Sequence, residues 1–288
     1  MKDNFGREIS YLRISVTDRC NLRCVYCMPA EGVPLIHHSQ ILNFDEICGF
    51  VKYAVAHGIH KVRLTGGEPT VRKNITTLVS MLSSIEGIHD LAMTTNAQLL
   101  ESMALELKQA GLNRVNISLD TLDPDKYRKL TRIGDIEKVF RGIAEAKKVG
   151  LTPIKLNCVL MNEPADNNLC SLPDDHTNVS KKKTEKNQQH RVQMQKFADD
   201  NDLDLRFIHY MNLKDGSFSV VEGGRGGDCP NCDRLRLTST GLLKPCLFSN
   251  ISYDIRKLGY EKAFQEAIKN KPHHGVANTE DEFYTIGG

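Results

Sequence analysis

Apolar positions recur along the first two hundred residues with two different periods, and the periods alternate. Short apolar runs at residues 11–16, 61–64, 90–94, 114–119, 151–161 and 203–208 have the length and composition of strands. Between them lie helical patterns. Asn43 and Glu46 form a capping box ahead of Ile47, Phe50, Val51, Ala54 and Val55, and Gly58 stops that helix. Residues 74–84 and 99–110 read as helices, the second closed by Gly111. Ile136, Val139, Phe140, Ile143, Ala146 and Val149 mark another, closed by Gly150, and a further helix is expected over 192–200. Six β units joined by helical crossovers imply a parallel sheet with right-handed connections. The expected fold class is α/β, an incomplete six-stranded (β/α) barrel.

The pattern fails in two places. Residues 162–190 hold Pro164, Pro173 and the run from Lys181 to Asn187, with little to bury, and read as a mobile insertion. After Met211 the chain becomes irregular, and Gly223, Gly224, Gly226 and Gly227 read as a flexible loop. The expected division is a barrel domain over 1–211 and a small carboxyl-terminal extension over 212–288.

Composition narrows the partners. The 288 residues carry a formal charge of only +2, which gives no reason to expect a nucleic-acid or membrane partner. Residues 1–7 lack the apolar core of a signal peptide and no run of eighteen apolar residues occurs, so a cytosolic protein is expected. Nine cysteines in a reducing compartment are not a disulfide framework. Six of them fall into two trios, and Cys48, Cys158 and Cys170 stand alone.

Cys20, Cys24 and Cys27 directly follow the first strand, whose carboxyl end is where parallel α/β folds build active sites. Three thiolates fall one short of a closed zinc site but hold an iron–sulfur cluster with one iron left open. Cys229, Cys232 and Cys246 repeat the arithmetic, and on spacing alone a zinc knuckle with a distant fourth ligand also fits them. The turn Ser239-Thr240-Gly241 suggests a hairpin that returns Cys246 to the first pair. Between these cysteines Arg234 and Arg236 share one face of a strand, where paired guanidiniums suit a polyphosphate.

The C-x3-C-x2-C spacing with Tyr26 before the last cysteine resembles the radical S-adenosylmethionine (SAM) superfamily. The stretch Leu12-Arg13-Ile14-Ser15-Val16-Thr17-Asp18-Arg19, the second trio and the terminal Gly287-Gly288 resemble one of its families, the GTP 3′,8-cyclases. The likeness extends over nearly the whole chain and is strong over residues 3–161 and 205–247. It implies the radical SAM type of partial barrel, SAM and two [4Fe–4S] clusters, the first on Cys20, Cys24 and Cys27 and the second on Cys229, Cys232 and Cys246. It implies SAM contacts at Tyr26, at Gly66, Gly67, Glu68 and Pro69, and at Thr94, Ser118 and Met211. GTP contacts are implied at Arg13, Lys61, Arg63, Lys155, Arg206, Arg234 and Arg236, with Gly287 and Gly288 reaching back into the catalytic chamber.

The implied reaction begins with a 5′-deoxyadenosyl radical, which takes the ribose 3′ hydrogen of GTP before that carbon attacks guanine C8, a step of molybdenum-cofactor biosynthesis. An external electron donor and a homodimer are implied as well. The chain departs from the family pattern in the short stretch between Met211 and Cys229, in Ala97 where glycine follows Thr-Thr-Asn, in His209 and in Asp233. Two other readings fit the residues: a radical SAM enzyme with a different substrate, and a divergent non-enzymatic paralogue that keeps its clusters or folds around zinc.

Overall fold

Tyr11–Ser15 (β1) lies inside a single nine-stranded sheet, between strands from opposite ends of the chain. A computed structural model describes residues 1–161 and 176–286. Lys61–Thr65 (β2), Asp90–Thr95 (β3), Arg114–Ser118 (β4), Lys155–Leu160 (β5) and Asp204–His209 (β6) follow β1 outward in sequence order, all parallel. Phe44–Ala56 (α1), Ile75–Ser83 (α2) and Leu100–Gln109 (α3) make the first three crossovers. Pro124–Thr131 (α4) and Ile136–Lys148 (α5) share the fourth, and His176–Asp200 (α6) leads into β6. This is the expected α/β arrangement of six parallel units.

On its other side β1 pairs in parallel with Arg234–Leu237 (β7), which continues antiparallel into Leu242–Lys244 (β8) and Tyr253–Asp254 (β9). Ile255–Leu258 (α7), Tyr260–Lys269 (α8) and Phe283–Ile286 (α9) complete the chain.

Strand alternation gives the sheet two different faces. Leu12, Ile14, Val62, Leu64, Leu91, Met93, Val115, Ile117 and Leu156 are buried in the main hydrophobic core. The positions between them include Arg13, Arg63, Thr94, Asn116, Ser118 and Asn157, so side chains of opposite character leave the same strands on opposite sides. The helices cover the apolar face. The capping box of α1 is reciprocal, with Asn43 accepting from Glu46 N at 2.9 Å and Glu46 accepting from Asn43 N at 2.8 Å. Glu46 also pairs with Arg256 at 2.7 Å, which ties α1 to α7.

Several elements differ from expectation. The expected helix over 192–200 begins at His176, so the part of the expected insertion after residue 175 is helical. Its Lys, Glu and Gln residues are compatible with a helix but leave no apolar period to announce one. Residues 162–175, with Cys170, and the terminal pair Gly287 and Gly288 lie outside the described residues.

Helix α4 was not expected, although Asp123 as cap and Pro124 at the first turn are start signals. The stretch read as irregular after Met211 contains α8, whose Ala263, Phe264, Ala267 and Ile268 are buried, with Phe264 meeting Phe50 edge-on at 6.3 Å. Ala97 sits at φ 60°, the left-handed region where the family's glycine is unstrained.

The tail is fastened at Lys244, whose ammonium pairs with Asp281 at 2.6 Å and is 1% exposed. Ile286 is buried against Leu213 and Phe248 in a second, small apolar cluster. No helix among the described residues is long and apolar enough to cross a membrane.

Ile14 is fully buried on the central strand. Ile14→Ala is expected to cost about 2–5 kcal/mol, and Asn43→Ala, which removes only the cap of α1, about 1 kcal/mol. Urea unfolding followed by circular dichroism checks that order.

A cavity that joins both cysteine trios

All six trio cysteines line one cavity of ≈ 350 Å³. Its wall takes residues from β1 (Arg13), β3 (Thr94), β4 (Ser118), β5 (Asn157), β6 (Ile208) and β7 (Arg234, Arg236), so the polar face of the sheet is concave around it.

The first trio sits in a loop held from outside by the end of α4. Val25 N donates to Leu130 O at 2.9 Å, Arg23 N donates to Thr131 O at 3.1 Å, and Arg132 donates to the carbonyls of Arg23 and Met28. From inside, Tyr26 donates its hydroxyl to Asp120 at 2.7 Å, and the other oxygen of Asp120 accepts from Val159 N at 2.8 Å. Gly67 N donates to Thr17 O and Glu68 N to Arg19 O, both at 2.7 Å. A Cβ on Gly66 would lie 2.7 Å from Thr17 O, and one on Gly67 would overlap the Arg19 carbonyl. These glycines let the two loops touch. Glu68 is 1% exposed, with one oxygen accepting from Thr70 N, Thr70 Oγ1 and Thr95 Oγ1 and the other from Asn96 N.

The two trios lie in contrasting fields. Burial pushes Cys20 up to about 11, with Leu22 N–H opposing and Glu68 adding to the rise. Cys24 rises through burial and the Asp120 charge, and Cys27 goes up to about 12 through burial, Cys20 and Glu282. Burial would also raise Cys232, but the Lys271 ammonium and the Arg234 N–H outweigh it and leave that thiol below its usual range. Cys246 is raised by burial, with Lys271 opposing. Among the described residues no three His, Cys, Asp or Glu side chains converge on a single metal ion. A trio of thiols that lines a cavity without converging fits a multi-iron cluster, whose cysteines bind separate irons.

Cations crowd the wall. The Tyr11 ring has the guanidinium carbons of Arg63, Arg13 and Arg234 at 5.3, 5.7 and 5.8 Å from its centroid. Burial lowers Arg63 to about 9, with the charges of Arg13, Arg114 and Arg206 acting the same way. Burial lowers Arg236 to about 9 too, reinforced by Arg13 and Arg234. The Nε atoms of Arg63, Arg206 and Arg234 are buried without a hydrogen-bond partner. Guanidiniums with buried donors to spare are costly unless an anion is to occupy the space.

The Radical SAM superfamily model matches residues 14–170. A GTP 3′,8-cyclase of Clostridium botulinum (strain Langeland) is 38% identical over an alignment of 341 residues that covers 100% of both chains. The alignment is longer than this chain, so the relative carries segments that are missing here. The GTP 3′,8-cyclase of Thermodesulfovibrio yellowstonii is 41% identical, covering 93% of this chain and 91% of its own.

This chain belongs to the GTP 3′,8-cyclase family.

Members of this radical SAM family are enzymes whose cofactors are SAM and [4Fe–4S] clusters. Among solved structures, Streptococcus suis SuiB bound to precursor peptide SuiA aligns at TM-score 0.62 with 16% identity, over 93% of this chain and 66% of that one. Methylornithine synthase aligns at 0.52 with 18% identity, over 72% of this chain and 55% of that one. These two likenesses concern the fold alone.

Of the residues expected in a GTP 3′,8-cyclase site, the six cysteines, Tyr26, Gly66, Gly67, Glu68, Thr94, Ser118, Met211, Arg13, Arg234 and Arg236 all line the cavity. Arg63, Lys155 and Arg206 are not in that lining, but their charges act on one another. Lys61 is at the amino end of β2, level with Tyr11 and Asp90, and is not in the lining. The short stretch after Met211 contributes Phe218, Val221, Gly226 and Gly227 to the wall, with Phe218 stacked on Phe248 at 4.3 Å.

Sequence reading missed Tyr11, Asn96, Asn157 and Phe218. The two-residue alternation of β5 from Lys155 points to Asn157, whereas Phe218 follows no periodic signal.

In the metal-free protein near neutral pH, iodoacetamide is expected to label Cys232 before Cys20, Cys24 or Cys27, because only Cys232 gains thiolate character. Peptide mapping by mass spectrometry checks the order, which should vanish in urea.

Proposed function

We propose that this chain converts GTP to (8S)-3′,8-cyclo-7,8-dihydroguanosine 5′-triphosphate. The observation that carries the reading is that both cysteine trios and the cation-rich wall belong to one cavity. Cys20, Cys24 and Cys27 hold one [4Fe–4S] cluster and Cys229, Cys232 and Cys246 the other. When bound, the first cluster and SAM supply a 5′-deoxyadenosyl radical by one-electron reduction.

The protein's part is to bind, orient and shield. Glu68 has one oxygen with a single partner, Asn96 N, so it can accept a further bond from the ammonium of SAM. Tyr26, Thr94, Ser118 and Met211 border the same space and suit the rest of that molecule. Arg13, Arg234 and Arg236 offer guanidiniums to the triphosphate, and Arg63, Lys155, Arg206 and Lys61 add positive potential behind them. Phe218, Phe248 and Phe283 keep water from the radical. Gly287 and Gly288 follow the buried Ile286 in sequence, and residues without side chains suit entry into a narrow chamber.

The reading includes an external electron donor, a homodimer, a cytosolic location and a division into a barrel over 1–211 and a cluster-binding region over 212–288.

The test is anaerobic reconstitution followed by incubation with SAM, dithionite and GTP. 5′-Deoxyadenosine is expected to rise with GTP and to match the cyclised product. A slow yield indifferent to GTP would sink the assignment. Cys24→Ala is expected to abolish SAM cleavage. Arg234→Ala is expected to spare it while raising KM for GTP at least about tenfold, since a charge-assisted bond contributes about 1.5–3 kcal/mol.

A further inference from the structure

Lys271 follows α8 and is 3% exposed. Its ammonium donates to the carbonyl of Arg234 at 2.7 Å and to that of Pro245 at 2.6 Å. Arg234 lies two residues beyond Cys232, and Pro245 immediately precedes Cys246. The charge of the ammonium acts on the thiols of both Cys232 and Cys246. The ion pairs among the described residues give Lys271 no carboxylate.

Arg7 fastens the neighbouring residues. It donates to Cys229 O at 2.8 Å, to His273 O at 3.2 Å and to Pro272 O at 2.7 Å, while Asp3 balances its charge at 2.6 Å. The segment Lys271-Pro272-His273 is thus fixed to all three cysteine-bearing stretches of the second trio.

We infer that Lys271 is a positioning residue for the second cluster: its buried ammonium joins the Cys232 and Cys246 stretches and supplies the cation that a thiolate-bound cluster faces. The inference rests on the two-cluster reading proposed above. A buried ammonium without a carboxylate is expensive, and anionic sulfur within reach of its charge offsets the expense. Three deprotonated thiolates leave a [4Fe–4S] core negative, so hydrogen bonds and nearby positive charge favour its reduced form. The first trio has more acidic surroundings, with Glu68, Asp120 and Glu282 acting on its thiols and Arg23 as the opposing cation at Cys20. Lys271 is a specific source of the difference between the two sites.

The test reconstitutes the full chain as wild type, Lys271→Gln and Lys271→Met, and measures iron, circular dichroism and cluster midpoint potentials by electron paramagnetic resonance. Wild type should bind about eight irons in two clusters; failure to do so would overturn the two-cluster reading itself. In the Gln variant, which keeps donors but loses charge, the second-cluster midpoint should move negative while the first stays in place. The Met variant should keep its fold and the first cluster and lose the second, falling to about four irons. Unmoved midpoints in a Gln variant with both clusters would overturn the inference. Loss of the fold or of both clusters in the two variants would also overturn it, by making Lys271 a general structural residue.

Discussion

Positive charge held inside the sheet is the constraint around which this protein is arranged. Arg13 on β1 is level with Arg63 on β2 and Arg236 on β7, so three arginines lie side by side across the middle of the sheet. Arg63, Arg206 and Arg234 each keep a buried Nε without a hydrogen-bond partner, a cost that folding has to offset elsewhere. The offset comes from the opposite face, where Leu12, Ile14, Val62, Leu64, Val115 and Ile117 pack under the helices. Because strands alternate, one set of residues supplies both the stabilising face and the face with its charge left over for a polyanion.

The same economy explains the loops. Gly66 and Gly67 bring the strand end of β2 into backbone contact with Thr17 and Arg19, so the first cysteine loop and Glu68 are fixed as one unit. Asp120 joins that unit to β4 and β5 through Tyr26 and Val159. The second cysteine site has no comparable strand-end loop. It is assembled from β7, β8 and the segment after α8, and buried cations bridge what the backbone does not.

The tail belongs to this second assembly. Lys244 and Asp281 pair out of water, Asn278 donates to Leu247 O and Asp281, and Ile286 closes a small apolar cluster beside the cavity. The short stretch after Met211 completes the wall through Phe218, stacked between Phe248 and His274. Aromatic rings suit a short stretch that has to line a chamber, because they cover a large area per residue.

By itself the sequence determined the six parallel units, the helices whose apolar residues recur at helical spacing, and both cysteine trios, since periodicity and spacing are local properties of a chain. Helix α4 was not read, although Asp123 and Pro124 carry its start signals. The polar turns of α6 were not legible, because their sequence from His176 to Gln189 carries no apolar period. Only the tertiary structure decided that the two trios share one cavity, that Arg63 and Arg234 lie over Tyr11, and that Lys271 joins the carbonyls of Arg234 and Pro245. Those contacts join residues tens to hundreds of positions apart, and their worth comes from burial, which creates the low-dielectric surroundings that make one unpaired cation or one anionic sulfur decisive.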